Sequence, residues 1–119
     1  ILISPAVNIY NVLASGEFRN QSIIFESLKV KKSVLDDVSN YDFYSCAKHI
    51  KGAVLITHGT DDLSVKSEYS RKLYEKVTGN VYLKLIEGAS HGYDTPESMS
   101  KLVGAICDFS KKEILKVQD

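Results

Sequence analysis

The chain has 119 residues, of which 44% are hydrophobic and 25% are charged. Its length suffices for one small domain, and its composition is typical of a globular protein. Fifteen basic residues balance fifteen acidic ones, so the formal net charge is zero. This balance argues against a nucleic-acid partner and against a basic membrane anchor. No apolar run approaches the roughly 20 residues of a membrane-spanning helix, so we expect no membrane partner either.

The first seven residues, ILISPAV, form an apolar run typical of a strand that is buried on both faces. The charged leader and the small-residue cleavage site of a signal peptide are not recognised there. Since chain termini usually lie in exposed segments, this beginning predicts that the chain is part of a longer protein. Residues 1–4 would then form an exposed sheet edge. We expect the missing N-terminal part of the same domain, or a second copy of the chain in a homo-oligomer, to cover it.

Residues 8–46 carry weaker patterns. Segments 22–26 and 28–32 predict a small hairpin, and residues 33–38 predict a short helix. The aromatic-rich stretch at 41–44 (YDFY) has two interpretations, ordinary packing or a lining of the substrate pocket, and packing is the simpler one. We predict that residues 8–46 form a lid-like insertion that covers a site.

Two later apolar runs predict further strands. Residues 53–59 (AVLITHG) and 81–88 (VYLKLIEG) are short and end in glycine. Residues 66–78 between them predict a helix, which ends at Gly79. The apolar positions of this helix recur at four-residue spacing, at Val65, Tyr69, Leu73 and Val77. A strand–helix–strand unit of this kind places its two strands parallel.

The last segment predicts a long amphipathic helix that closes the chain. Thr95 is a favourable N-cap, and Pro96 is tolerated at the first helical position. Five apolar residues follow at helical spacing: Met99, Leu102, Val103, Ile106 and Phe109. Together with three consecutive parallel strands, this helix indicates the α/β class, in which helices flank a parallel sheet.

Cys46 and Cys107 are the two cysteines of the chain. Both lie in apolar, helix-like segments, and neither belongs to a CxxC motif or to a metal-ligand spacing. We expect them to be small buried side chains in a reducing compartment rather than disulfide partners. Such use of cysteine favours a cytoplasmic protein.

Acidic and basic side chains follow the ends of two predicted strands. Asp61 and Asp62 come directly after the strand at 53–59, and His91 follows the strand at 81–88. Adjacent parallel strands lie about 4.8 Å apart, and ligands bind at the carboxyl edge of such sheets. An aspartate that accepts a hydrogen bond from His Nδ1 leaves Nε2 free to act as a general base. The pattern therefore predicts two thirds of a hydrolytic triad.

The residues of these two segments resemble those of a known family. Residues 54–65 (VLITHGTDDLSV) are similar to the acid-bearing loop of α/β-hydrolases, and residues 85–93 (LIEGASHGY) are similar to their catalytic-histidine loop. The likeness is greatest to the carboxylesterase branch that includes cinnamoyl and feruloyl esterases, and it is tight from Ala47 onward. It implies that residues 1–119 are the C-terminal part of an α/β-hydrolase domain, with residues 8–46 as its cap or lid insertion.

The resemblance also implies which acidic residue orients the histidine. The family's acid stands three places after the glycine of a His-Gly pair, and Asp62 stands three places after Gly59. Asp61 is the alternative at the neighbouring position. The family usually has a proline after the valine of this loop, whereas this chain has Lys66 after Val65. A preference for starting a helix is lost with that proline.

Three histidines occur in the chain. The resemblance implies that His91 is the catalytic base, whereas His58 matches a position at the strand end that is normally structural. His49 lies on a helix-like segment, and we expect it at the surface. The alternative for His91 is an ordinary loop histidine without a catalytic role.

Residues 88–92 (GASHG) match the G-x-S-x-G pattern of a nucleophile elbow. We reject Ser90 as the nucleophile, because the acid and the base follow the nucleophile in this fold and no histidine follows His91. An elbow also runs directly into a helix, whereas residues 93–96 intervene here. The serine and both oxyanion-hole donors are therefore expected before Ile1. The 119 residues alone are then expected to be inactive.

These inferences favour a serine hydrolase that cleaves small-molecule carboxylic acyl esters without a cofactor or a metal. A serine peptidase of the prolyl-oligopeptidase or aminopeptidase type is one alternative, because its acid and histidine loops look alike. A metal-dependent hydrolase is another, with N and O ligands drawn from His58, Asp61, Asp62, His91 and Asp94. A non-catalytic binding module with the same fold is the last.

Overall fold

The computed structural model describes residues 1–19 and 21–116. Six strands lie in this part of the chain: β1 (Leu2–Ile3), β2 (Glu17–Arg19), β3 (Ser22–Phe25), β4 (Leu28–Lys31), β5 (Val54–Gly59) and β6 (Val81–Ile86). Five α-helices accompany them: α1 (Ile9–Ala14), α2 (Ser33–Val38), α3 (Phe43–Cys46), α4 (Ser67–Lys76) and α5 (Pro96–Leu115). A short 3-10 helix, Ala47–His49, precedes β5. The strands form two three-stranded sheets.

Strand β5 is the centre of a parallel sheet with the order β1-β5-β6. All six of its residues are buried, as expected for a strand that is covered on both faces. Strand β6 runs beside it in register, from the pair Val54 and Val81 to the pair Gly59 and Ile86. The two strands end level, so the loops that follow them emerge side by side. The predicted arrangement of three parallel strands is confirmed.

Strand β1 is shorter than the apolar run at residues 1–7 predicts. Ser4 has a positive φ of 46°, which turns the backbone out of the extended conformation. Pro5 follows it and has no N–H to donate to a neighbouring strand. Ile1 and Ile3 are 54% and 47% exposed, so β1 is the exposed edge that the sequence predicts.

Helix α4 covers one face of the parallel sheet. Leu73 and the following Val77 pack with Val54 and Ile56 of β5 in one buried cluster. Fully burying a side chain of this size contributes roughly 1.5–3 kcal/mol, so the helix and the sheet stabilise each other. The helix predicted over residues 66–78 and its apolar face are confirmed.

Helix α5 begins at Pro96 with Thr95 as its N-cap, as predicted. The Thr95 hydroxyl accepts from the Ser98 N–H at 3.1 Å, and the Ser98 hydroxyl accepts from the Thr95 N–H at 3.3 Å, which forms a capping box. Leu102 is buried, whereas Val103 is half exposed. Successive helical residues point about 100° apart, so part of the predicted apolar stripe faces away from the sheet. Although α5 has 20 residues, neither it nor another described helix is long and apolar enough to cross a membrane.

The residues between β1 and β5 form a second layer with its own core. Strands β2, β3 and β4 make an antiparallel sheet. Leu13 of α1, Ile23 of β3 and Leu35 of α2 are buried together beside it. The predicted hairpin (β3–β4) and the predicted short helix (α2) are confirmed, whereas the sequence patterns predict neither α1 nor β2. The turn of the β3–β4 hairpin holds Glu26 at a positive φ of 53°.

Two expectations about burial are wrong. Cys46 and Cys107 are free thiols, as predicted, but both are exposed. Cys107 lies one turn after the exposed Val103, on the outer face of α5, and Cys46 ends a four-residue surface helix. Tyr41 and Phe43 are largely exposed as well, and their rings stack on each other with 6.0 Å between centroids. For Tyr41 and Phe43, contact within this pair replaces the core packing that the sequence suggests, whereas Tyr44 is half-buried and packs against the core cluster of β5 and α4 as expected.

Candidate active site

The loops after β5 and β6 lie against each other at the carboxyl edge of the parallel sheet. We call residues 60–65 the acid loop and residues 87–95 the histidine loop. Gly59 precedes the acid loop, and a Cβ atom at this position would collide with the carbonyl oxygen of Ala89. The Asp61 N–H donates to that same carbonyl oxygen at 3.0 Å. Glycine is therefore required where the two loops meet.

Asp62 lies in the acid loop with its side chain fully buried. Its Oδ1 accepts hydrogen bonds from the Ser64 N–H at 2.9 Å and from the Val65 N–H at 2.8 Å. The aspartate side chain thereby closes a local turn, and hydrogen bonds to a charged group contribute about 1.5–3 kcal/mol. The two N–H groups stabilise the ionised carboxylate and direct Oδ2 toward the histidine loop.

His91 reaches the acid loop from the neighbouring strand. Its Nδ1 lies 2.8 Å from Oδ2 of Asp62, a distance typical of a charge-assisted hydrogen bond. Because an ionised carboxylate only accepts, Nδ1 carries the proton and Nε2 of the neutral ring keeps its lone pair. The His91 side chain is 48% exposed, so a buried carboxylate holds an imidazole that faces outward. The predicted proximity of the two residues is observed.

His58 is a second histidine on the same carboxylate. Its Nε2 lies 3.0 Å from Oδ2 of Asp62 and 2.8 Å from the carbonyl oxygen of Val65. Its Nδ1 lies 2.6 Å from the hydroxyl of Ser70 on α4. Both His58 and Ser70 are completely buried.

The sequence indicates a structural role for His58, but it does not reveal the contact with Asp62. The alternation of side chains between the two faces of β5 could have indicated this contact. His58 lies on the same face of the strand as Val54 and Ile56, and these residues pack against α4. A histidine on that face is held between the helix and the start of the acid loop.

The remaining candidates point elsewhere. Asp61 is exposed, and its carboxylate contacts a hydroxyl of its own loop at 3.5 Å. The Ser90 hydroxyl donates a hydrogen bond to Oδ2 of Asp94 at 2.6 Å, so its partner is a carboxylate rather than a histidine. His49 is exposed, as predicted. Of the two neighbouring aspartates, the one that contacts histidine is Asp62.

The ligand set considered for a metal ion is not assembled. Among residues 1–19 and 21–116, no group of three or more His, Cys, Asp and Glu side chains could hold a metal ion. Asp61 and Asp94 are exposed and contact hydroxyl groups instead. This part of the chain therefore gives the metal alternative no support.

Tyr93 anchors the histidine loop from the inside. Its ring is buried, and its hydroxyl donates to the Thr57 hydroxyl of β5 at 3.4 Å and accepts from the Ser4 hydroxyl at 3.3 Å. Its φ of 53° lies in the left-handed region, which disfavours large side chains. Packing must therefore hold a strained backbone two residues after His91. No pattern in the sequence points to this anchoring role.

No family model and no curated protein matches this sequence, but solved structures match its fold. Est1E from Butyrivibrio proteoclasticus matches with a TM-score of 0.79 and 23% identity, over 95% of this chain and 50% of its own. The esterase domain from Rhodothermus marinus matches with a TM-score of 0.65 and 10% identity, over 87% of this chain and 47% of its own. The monoacylglycerol lipase from Paleococcus ferrophilus matches with a TM-score of 0.57 and 21% identity, over 87% of this chain and 50% of its own.

The chain has an α/β-hydrolase fold. Its resemblance to the C-terminal portion of such an esterase, which the sequence suggests, is confirmed at the level of the fold. The chain spans about half the length of the structures that it matches. In α/β folds of this kind ligands bind at the carboxyl edge of the sheet, and the Asp62–His91 pair lies at that edge.

In this hydrolase fold, the layer between β1 and β5 touches the acid loop. The Ser64 hydroxyl donates to the carboxylate of Glu26, which lies at the turn of the β3–β4 hairpin. Ser64 is two residues from Asp62, and Leu63 between them is 97% exposed. An exposed apolar residue is therefore adjacent to Asp62 in the chain, and the hairpin turn contacts the acid loop two residues after Asp62.

A cleft of about 660 Å³ lies between β6 and α5 of the hydrolase fold. Apolar side chains dominate its walls, and Tyr82 packs edge-on against Phe109 there, with 5.7 Å between ring centroids. Asp62 and His91 do not line this cleft. The candidate site is thus located by the hydrogen bond between Asp62 and His91 and not by this cleft.

Proposed function

We propose that this chain supplies the acid and the base of a serine hydrolase that cleaves carboxylic acyl esters. Asp62 is the acid and His91 is the base. The observation that carries the proposal is the 2.8 Å contact between Asp62 Oδ2 and His91 Nδ1 at the carboxyl edge of the sheet. A buried carboxylate that accepts from Nδ1 fixes the ring in the tautomer that a general base needs.

In the proposed reaction, Nε2 of His91 takes the proton of a serine hydroxyl while the serine oxygen attacks the ester carbonyl carbon. The imidazolium then gives this proton to the leaving alcohol, and an acyl-serine remains. A water molecule loses a proton to the same Nε2 as it attacks the acyl-serine, and the serine oxygen regains that proton when the acid product leaves. Asp62 orients the ring and stabilises its positive charge in both halves of the cycle.

The serine and the oxyanion-hole donors belong, in this proposal, to an N-terminal part of the same domain. One support is that the chain spans about half the length of the structures that it matches. Another is that β1 is an edge strand of the described sheet, with Ile1 and Ile3 exposed, so a further strand can add to it. Because the nucleophile precedes the acid and the base in this fold, we expect a G-x-S-x-G motif before Ile1.

Esters are the proposed substrate class because of the proteins that share the fold. One matched structure has ferulic acid bound to Est1E, and others are an esterase domain and a monoacylglycerol lipase. The exposed Leu63, adjacent to Asp62 in the chain, suits an apolar acyl or aromatic group. Residues 8–46 are proposed to form the lid of this site, which the contact between Glu26 and Ser64 supports.

Assays of the full-length protein that carries this chain test the proposal. Short p-nitrophenyl esters and aminoacyl amides should be compared, with His91→Ala as the inactive variant and His49→Ala as its matched control. Ester hydrolysis that depends on His91 and not on His49 supports the proposal. Amide hydrolysis with negligible ester turnover would favour a peptidase. Activity that chelation abolishes and serine reagents leave intact would favour a metal-dependent hydrolase.

A further inference from the structure

We propose that His58 and Ser70 are positioning residues that reserve the negative charge of Asp62 for His91. This inference rests on the proposed function, in which Asp62 stabilises the charged form of His91 during the reaction. Its starting point is that two histidines contact the same Oδ2 of Asp62, His91 at 2.8 Å and His58 at 3.0 Å. If both rings were charged, one carboxylate would be shared between two cations.

The contacts of His58 determine which of its nitrogens carries the proton. Nε2 faces two acceptors, Oδ2 of Asp62 at 3.0 Å and the carbonyl oxygen of Val65 at 2.8 Å, so Nε2 is a donor. Nδ1 faces the Ser70 hydroxyl at 2.6 Å. Among the described residues, the Ser70 hydroxyl has no other hydrogen-bond partner, so its proton is used when it donates to Nδ1. His58 is then neutral, with its one ring proton on Nε2.

Burial favours the same neutral form of His58. His58 and Ser70 have no exposed surface, and a buried imidazolium loses hydration that a dedicated ion pair must replace. The acid at hydrogen-bond distance is Asp62, which His91 and two backbone N–H groups already engage. A neutral His58 donates to this carboxylate and holds it in place without cancelling its charge.

The groups around the His58 ring come from three elements. Helix α4 contributes Ser70, the acid loop contributes Asp62 and the Val65 carbonyl, and the histidine loop contributes His91 through the shared Oδ2. Asp62 and His91 are the titratable members of this set. A change at Ser70 therefore reaches His91 through His58 and Asp62.

Ser70→Ala in the full-length protein removes the hydroxyl that contacts Nδ1, so the tautomer and the position of the His58 ring are no longer fixed from the α4 side. We expect kcat/KM for a p-nitrophenyl ester to fall about tenfold with KM unchanged, the pattern of lost transition-state stabilisation. Ser70→Thr keeps the hydroxyl and should restore the rate. Ser67→Ala, on the same helix, is the matched control.

NMR of 15N-labelled histidines in the same protein tests the inference without turnover. His58 should be neutral with its proton on Nε2 in the unsubstituted protein, and both neutral tautomers should be detected in Ser70→Ala. A charged His58 in the unsubstituted protein at neutral pH, or a neutral one with its proton on Nδ1, would overturn the inference. So would a folded Ser70→Ala variant with an unchanged rate. If Ser70→Ala does not fold, the spectrum of the unsubstituted protein decides, and a lack of ester hydrolysis counts against the proposed function alone.

Discussion

Oδ2 of Asp62 lies 2.8 Å from Nδ1 of His91, although the two residues are 29 positions apart in the chain. Two parallel strands that end level bring them together, and Gly59 allows the loops after those strands to meet. The contact joins a buried carboxylate to a half-exposed imidazole. The orientation of His91 therefore depends on the acid loop, on the junction of the two loops at Gly59 and on the hydrogen bonds of Tyr93 that anchor the histidine loop.

Asp62→Asn should remove most of the proposed esterase activity. The oxygen of the asparagine side chain can still accept hydrogen bonds from the Ser64 and Val65 N–H groups. The amide nitrogen then takes the place of Oδ2 and donates toward His91. This forces the proton of the ring onto Nε2, and the same exchange in a serine protease lowers kcat about 10⁴-fold. We expect kcat on a p-nitrophenyl ester to fall about 10³–10⁴-fold with little change in KM.

Asp61→Asn is the matched control for this substitution, because Asp61 is exposed and has no role in the Asp62–His91 contact. Its kcat should stay within about twofold of the unsubstituted protein. Equal losses in Asp61→Asn and Asp62→Asn would contradict the assignment of Asp62 as the acid.

The sequence could predict the position of the candidate pair because strong patterns determine it. Strand β5 has a continuous apolar run, β6 has a partly alternating one, and α4 has apolar residues at four-residue spacing. A strand–helix–strand unit leaves one parallel arrangement of its strands. The loops that carry Asp62 and His91 then have to emerge at one sheet edge. Chain order also argues against Ser90 as the nucleophile, and the Ser90 hydroxyl donates to Asp94 in the structure.

Other features depend on contacts between distant segments and could not be predicted. The exposure of Cys107 follows from which face of α5 packs on the sheet, and an apolar neighbourhood in sequence does not reveal that. The positive φ of Ser4 and of Tyr93 accompanies a hydrogen bond between their side chains, which are 89 positions apart. The contact of His58 with Asp62 likewise depends on how α4 covers β5.

Gly59→Ala should destabilise the fold, because the added methyl group meets the carbonyl oxygen of Ala89. Overpacking of a buried site typically costs about 1–3 kcal/mol, and we expect the free energy of unfolding to fall by about 2 kcal/mol in urea denaturation. Gly52→Ala is the matched control, since a Cβ atom there meets nothing within 4 Å. The steric explanation fails if both variants unfold at the same urea concentration.

Tyr93→Phe should loosen the histidine loop. The ring stays, but the Thr57 and Ser4 hydroxyls each lose a buried hydrogen-bond partner, which costs about 1–3 kcal/mol of stability. Thermal unfolding measures the loss, and the kcat of the same variant reports whether His91 is still held in place. Tyr74→Phe, at an exposed position of α4, should change neither quantity. Identical melting curves for the two variants would show that the Tyr93 hydroxyl does not stabilise the loop.

The contact between Glu26 and Ser64 should couple the proposed lid to the acid loop. A double-mutant cycle with Glu26→Ala and Ser64→Ala isolates this coupling. Ser64→Ala keeps the backbone N–H group from which Asp62 Oδ1 accepts a hydrogen bond. We expect an interaction free energy of about 0.5–1.5 kcal/mol in urea denaturation. Strictly additive effects would mean that the hairpin turn and the acid loop are independent.

Covalent labelling of the full-length protein with a fluorophosphonate is the most direct test of the central proposal, because this reagent reacts with a serine that a base activates. Peptide mapping should locate a single labelled serine before Ile1. The label should be lost in His91→Ala and retained in His49→Ala. Labelling of Ser90, or labelling that survives in His91→Ala, would contradict the proposal that His91 serves a serine outside these 119 residues.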